Sequence, residues 1–196
     1  MAPACRFAEI PVIWNQMDTV SSPTIRRATS GDTAALAELG ATTFVEAFGH
    51  LYTKEDLAAF LAKAHAEATY RRLIEDPNAA IWLATTGSAP PIGYVVAGSC
   101  KLPVKDLEPS AGEIRQLYVR AGVQTHGVGS RLLVTALDWL AAQRRTPLYV
   151  GVWSENLGAQ RLYQRFGFEK IGEYRFAVGK QLDLEFILKQ RPGLWR

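Results

Sequence analysis

Cysteine, methionine and histidine are scarce in this chain, at two, two and three of 196 residues. Cys5 and Cys100 are too few for a disulfide framework and neither has a partner at metal-ligand spacing. That usage fits a reducing compartment, and the cytoplasm is the expected location. His50, His65 and His126 show no zinc-ligand spacing, so no metal is expected. No apolar run approaches the ~20 residues that span a bilayer, which argues against membrane insertion. Residues 1–22 carry Glu9, Asn15, Gln16 and Asp18 and lack the long apolar core of a secretory signal. They read as a flexible extension. Basic residues do not cluster: the pairs Arg26-Arg27, Arg71-Arg72 and Arg144-Arg145 are scattered and the net charge is only +3, so no nucleic-acid footprint is evident. There is no Gly-x-Ser-x-Gly elbow and no Gly-Lys-Ser/Thr, which sets aside a serine-hydrolase turn and a P-loop.

What is present describes an ordinary globular domain, 48% hydrophobic and 21% charged, over residues 23–190, with a short tail at 191–196. A strand is predicted at 24–28, then a helix capped by Ser30 or Asp32 and stopped by Gly49. Thr53 with Asp56 resembles a capping box for a second helix, in which Leu57, Phe60 and Leu61 share a face. A third helix runs over 67–74. Strands at 79–85 and 92–97 flank a Gly-Pro-rich connection, and another strand covers 113–119. Leu132, Leu133, Ala136, Trp139 and Leu140 mark a helix over 127–145, with Arg144 and Arg145 expected in its last turn. A strand at 148–153, a helix at 157–165 and strands at 168–178 and 181–188 complete the order. The order is mixed α+β, with too few helical crossovers for a doubly wound sheet.

Two stretches carry the chemistry. Gln124-Thr125-His126-Gly127-Val128-Gly129-Ser130 joins a strand to a helix. A helix start offers unpaired N–H groups and partial positive charge to an anion, and glycines leave that backbone uncovered. A dinucleotide fingerprint would want glycine where Leu132 stands. The second stretch is Asn156 followed by Gln160 and Tyr163, which helical spacing puts on one face, just before Phe166-Gly167-Phe168.

Together these stretches resemble the GNAT N-acetyltransferase superfamily over roughly residues 24–189. Within it, Gly151-Val152-Trp153-Ser154-Glu155-Asn156 is similar to the bacterial spermidine/spermine acetyltransferases of the PaiA type. The resemblance implies a mixed sheet of about six to seven strands with splayed middle strands, flanked by helices. It implies acetyl-CoA as cosubstrate and a small-molecule or peptide amine as acceptor, a polyamine being one, with a protein N-terminus, an amino acid or an antibiotic amine as alternatives. A non-catalytic acyl-CoA sensor is the rival class, and a homodimer is the implied assembly.

By the same resemblance, the Gln124–Ser130 turn would hold the pyrophosphate. Leu117, Tyr118 and Val119 would run along the pantetheine arm, with a backbone N–H at Val119 near the oxyanion. Asn156 would touch the arm, and Tyr163 would protonate the departing thiolate. Glu113 stands where some members keep a general base, yet at ~3.3 Å per residue it lies ~13 Å along the strand from Leu117. Glu46 and Glu185 are the other candidates. Phe44, Phe48, Leu51 and Tyr52 would line the acceptor cleft, with Asp56 and Asp183 as further carboxylates, although Phe44 also suits the core.

Overall fold

The computed structural model describes residues 23–193, so the extension at 1–22 and the end of the tail lie outside the described residues. Seven strands form one sheet: β1 (Thr24–Arg27), β2 (Ala79–Thr85), β3 (Gly93–Ser99), β4 (Gly112–Val119), β5 (Leu148–Trp153), β6 (Phe168–Val178) and β7 (Gln181–Gln190). Their spatial order is β1-β2-β3-β4-β5-β7-β6. The β4–β5 pair is parallel and all other pairs are antiparallel. Five α-helices accompany them: α1 (Thr33–Phe48), α2 (Lys54–Ala64), α3 (Glu67–Glu75), α4 (Val128–Ala142) and α5 (Leu157–Arg165).

β2 and β3 are buried along nearly their whole length because helices cover both faces. Ala80, Trp82, Val95 and Ala97 point toward α4, where Leu132, Leu133, Ala136, Leu137 and Leu140 form the apolar stripe. The alternate residues Ile81, Leu83, Tyr94 and Val96 pack against Leu36, Leu39 and Tyr70 of α1 and α3. The α4 stripe thus includes Leu137, while Trp139 sits at its rim, edge-on to Trp82 at 5.8 Å.

Several local expectations are revised. Neither Ser30 nor Asp32 caps α1 through its side chain: Asp32 accepts from the Thr29 N–H at 2.7 Å and from Arg26 at 2.6 and 2.9 Å. Gly49 ends α1 by passing into a 3-10 turn with φ −57, not through a left-handed cap. Arg144 and Arg145 lie beyond α4, which ends at Ala142; Arg144 takes φ 54 and Arg145 donates to Asn78 Oδ1 at 2.8 Å. Thr53 caps α2 as expected, accepting from the Asp56 N–H at 3.1 Å.

Gly40, in the middle of α1, permits a close approach from below. A Cβ there would lie 2.1 Å from Tyr70 Oη and 2.4 Å from His65 Nδ1. These belong to a buried chain in which His65 Nδ1 meets Tyr70 Oη at 2.8 Å and Tyr70 Oη meets Tyr94 Oη at 3.0 Å. Alanine ordinarily favours a helix over glycine. Here Gly40→Ala is expected to destabilise the protein by about 1–3 kcal/mol through overpacking, measured by urea unfolding.

Candidate active site

β4 and β5 pair only from Gly112–Ile114 against Leu148–Val150. Beyond that point β4 stays with β3 as far as Val119 opposite Gly93, and β5 stays with β7 as far as Trp153 opposite Glu185. The two strands therefore diverge and open a cleft in the middle of the sheet. β4 also carries a bulge: Gln116 stands opposite Val96 but Ile114 opposite Ala97, so Arg115 is an extra residue. A bulge bends and twists its strand. It also breaks the alternation of faces, because Ile114 and Leu117 both pack with the α4 core.

On the other side of β4, a cavity of about 290 Å³ opens beneath α1 and α2. Its apolar wall is aromatic, with Phe44 and Phe60 at 4.6 Å, Phe48 edge-on to Trp153 at 5.6 Å, and Phe60 edge-on to Phe176 at 6.0 Å. Phe44 is both wall and core, being 5% exposed. Tyr52 lines the cavity too, whereas Leu51 does not.

Carboxylates enter this wall from two strands. Glu113 is 7% exposed, and its Oε2 accepts from the Lys101 N–H at 2.7 Å. Burial raises its pKa, against the opposing pull of that N–H and of Arg115. Asp183 is buried and accepts from the Tyr52 hydroxyl and from Gln181 Nε2. Glu185 accepts from the Tyr174 hydroxyl, and burial raises its pKa as well. The Tyr174–Glu185 pair lies over Gly151, where a Cβ would come 2.8 Å from Tyr174 Oη and 3.1 Å from Glu185 Oε2. Glu46 and Asp56 are outside this group: Glu46 is exposed and accepts from the Ala121 N–H, and Asp56 packs against Gly179.

The α5 residues arrive from the opposite flank. Asn156 Oδ1 caps α5, accepting from the Ala159 N–H at 3.0 Å, and Asn156 lines the cavity. Tyr163 lines it too, 5% exposed and edge-on to Phe168 at 5.8 Å. Burial pushes its phenol well above the usual value, so it stays protonated at neutral pH. Gln160 does not join them: its amide donates to the carbonyls of Trp153 and Ser154 and ties α5 to the end of β5.

Between β4 and α4 the chain makes a 3-10 turn over Ala121–His126, which the sequence pattern does not announce. The side chains of Gln124, Thr125 and His126 lie outside the described residues. Gly127 has φ 72, a left-handed conformation that favours glycine, and a Cβ there would meet nothing within 4 Å. A Cβ on Gly129 would meet only Leu162 and Val119, each at 3.8 Å. The uncovered start of α4 therefore abuts the end of β4 and α5, at one mouth of the cleft.

Residues 45–168 match the Acetyltransferase (GNAT) family. This chain belongs to that family. An uncharacterised N-acetyltransferase of Lactobacillus delbrueckii subsp. lactis is 29% identical over 153 residues, covering 76% of this chain and 85% of that protein. An uncharacterised N-acetyltransferase of Mycobacterium tuberculosis is 28% identical over 163 residues, covering 80% and 96%. Among solved structures, the PaiA N-acetyltransferase of Thermoplasma acidophilum, in complex with coenzyme A, has a TM-score of 0.69 at 15% identity, covering 87% of this chain and 99% of that one. A putative acetyltransferase of Salmonella typhimurium with acetyl-CoA has a TM-score of 0.60 at 22% identity, covering 87% and 94%. This GNAT protein is thus an acetyl-CoA-dependent N-acetyltransferase, and its splayed seven-stranded sheet is the fold of those neighbours.

Several residues around this cavity lie outside the candidates that the sequence offers. His65, Arg115 and Tyr174 line the cavity, yet none sits in a motif or at an informative spacing. His65 is 4% exposed, and burial lowers its pKa to about 4. The folded state therefore keeps His65 neutral while the unfolded chain takes up a proton near pH 6.5. The stability this confers is fully present above pH 6.5 and is lost as pH falls toward 4. Relative to His65→Phe, the wild type is expected to lose on the order of 3 kcal/mol between pH 7 and pH 4, read from urea unfolding at a series of pH values. A difference that does not change with pH would show that His65 titrates normally.

Proposed function

We propose that this enzyme transfers the acetyl group of acetyl-CoA to a primary amine by direct attack, with Tyr163 as acid and Glu113 as base. The observation that carries this reading is the meeting of Tyr163, buried carboxylates and the diverging edge of β4 around one cavity. Acetyl-CoA supplies the activated acetyl group. The residues of the turn, Gln124, Thr125, His126, Gly127, Val128, Gly129 and Ser130, would hold its pyrophosphate at the α4 N-terminus. Support comes from the open ground over Gly127 and Gly129. Leu117, Tyr118 and Val119 would run beside the pantetheine arm, with Asn156 across the cleft.

An amine reaches the site as ammonium and must lose a proton before it attacks. Carboxylates in an aromatic cavity attract the cation, and their raised pKa values bring them nearer to the basicity a proton acceptor needs. Glu113 takes the proton through its unheld oxygen, directly or through water. Tyr163 donates its phenolic proton to the departing sulfur. The carboxylates by themselves suit a polyamine, while a protein N-terminus, an amino acid or an antibiotic amine presents the same ammonium to them.

Thiol release from acetyl-CoA against a panel of polyamines, amino acids and peptide N-termini tests this. Tyr163→Phe is expected to lower kcat by about 100-fold or more while acetyl-CoA binding persists. Glu113→Gln is expected to lower kcat and to remove the acidic limb of the rate profile, a limb displaced above the ordinary carboxylate range because burial raises the Glu113 pKa. If Glu185→Gln removes that limb and Glu113→Gln leaves it in place, the base is Glu185.

A further inference from the structure

Two carboxylates bracket the point where the sheet forks. The last pair between β4 and β5 is Ile114 with Val150, so Glu113 stands one residue before the fork and Gly151 is the first β5 residue past it. Glu185 reaches over Gly151 from β7, where it is directly opposite Trp153 of β5 and Tyr174 of β6. Side chains directly opposed across strands share a face of the sheet, and these three all line the cavity. Glu185 Oε2 accepts from the Tyr174 hydroxyl. Its Oε1 has no hydrogen-bond partner among the described residues and keeps accessible surface. Bare backbone beneath lets the pair settle there: a Cβ on Gly151 would lie 2.8 Å from Tyr174 Oη and 3.1 Å from Glu185 Oε2.

The three carboxylates of the cavity are not equivalent. Asp183 has both oxygens engaged, by the Tyr52 hydroxyl and by Gln181 Nε2. Glu113 is held by the Lys101 N–H and lies within the influence of two positive charges, Arg115 and Lys101. Glu185 has no such neighbour. The groups that act on it are the Tyr174 hydroxyl on β6, Asp183 on its own strand and Glu113 on β4. Its own charge reaches Tyr118 on β4, Tyr163 on α5 and Tyr52 ahead of α2. No ion pair reaches it among the described residues. Negative charge shielded from water, with acidic neighbours and no cation, is costly to hold. A free oxygen that faces a cavity is where a cation from outside relieves that cost, and the neighbouring Trp153 ring suits a cation too.

We propose that Glu185 receives the reacting ammonium of the acceptor, and that Tyr174 is a positioning residue that turns the free oxygen of Glu185 toward it. This rests on the acetyltransferase reading above and divides the work of its carboxylates: Glu185 binds and Glu113 takes the proton. One ammonium proton passes to Glu113, and the freed amine attacks the acetyl carbon. The C–N bond forms and the C–S bond breaks. The sulfur takes a proton from Tyr163, which regains one, through solvent, from the second N–H that the nitrogen gives up. Attack makes the nitrogen cationic again, so the carboxylate that held the ammonium also steadies the nitrogen as the bond forms.

Spermidine, phenethylamine, isoamylamine and leucine are assayed by thiol release at saturating acetyl-CoA, and the fastest of them is carried through the variants. Tyr174→Phe keeps the ring and removes the donor. At pH 7 it is expected to raise the KM of that amine about tenfold while kcat stays within about threefold. It is also expected to move the acidic limb of kcat/KM to higher pH, by up to about one unit, because the hydroxyl that favours ionised Glu185 is gone. The kcat profile, which reports the loaded enzyme, keeps its limb in place, since the bound ammonium holds Glu185 ionised. Glu185→Gln is expected to raise KM at least as much, and adding Tyr174→Phe to it to change KM by less than about twofold, because Tyr174 acts through Glu185. Gly151→Ala keeps both side chains but wedges them apart, and is expected to raise the same KM should Tyr174→Phe fail to fold. An unchanged KM in Tyr174→Phe and Gly151→Ala, or an equal loss from Tyr174→Phe with and without Glu185, overturns the ammonium site and leaves the acetyltransferase reading intact. No turnover of any of the four amines overturns both.

Discussion

β4 cannot keep both of its neighbours along its whole length. It follows β3 over eight residues, and that ladder absorbs an extra residue at Arg115. β5 follows β7 instead, so the parallel β4–β5 ladder closes over only three residues on each side. Parallel pairs need a long crossover, supplied here by the turn at Ala121–His126 and by α4. The same geometry that pulls the strands apart therefore delivers the N-terminus of α4 to one mouth of the gap. The bulge has a second effect, because it breaks the alternation of faces: Ile114 and Leu117 both pack with the α4 core, and the whole run from Glu113 to Tyr118 borders the cavity.

The cavity is a place where burial and charge oppose each other. Glu113, Asp183 and Glu185 would be costly to bury unaided. Each accepts a hydrogen bond that reduces the cost: a backbone N–H at Glu113, the Tyr52 hydroxyl at Asp183 and the Tyr174 hydroxyl at Glu185. Desolvation still prevails at Glu113 and Glu185, whose pKa values rise. Groups that hold a proton less reluctantly than an exposed carboxylate are suited to taking one from an ammonium. On the other flank, burial keeps the Tyr163 phenol protonated. Burial thus moves the carboxylates and the phenol in the same direction, and what keeps their proton affinities apart is residue type.

Beneath the aromatic wall, the chain of His65, Tyr70 and Tyr94 joins α2, α3 and β3. It depends on Gly40, since any side chain there would displace the hydroxyl and the imidazole. Tyr118 stacks on Tyr94 with ring centroids 5.7 Å apart, so the same chain supports a side chain of β4 that faces the cavity. The stability of the helical cover and the shape of the site are coupled through these few contacts.

Much of the fold was legible in the chain itself. The α4 stripe, the Thr53 cap and the strands from Ala79 onward follow from local periodicity and turn chemistry, which act over a few residues and leave their mark in order. The glycines of the Gly127–Gly129 turn and the Asn156–Tyr163 spacing were readable for the same reason. Other features were not. Glu113 and Tyr163 are 50 residues apart in order and line one cavity only because β4 and β5 part. His65, Arg115 and Tyr174 have no local signature, and Arg144 and Arg145 were placed on a helix that ends before them. A one-residue bulge is invisible to an alternation pattern, yet it reverses which side chains face the core. Sequence by itself determined the elements and the candidate residues; tertiary structure alone decided which of them meet, because strand divergence and burial exist only once distant segments pack.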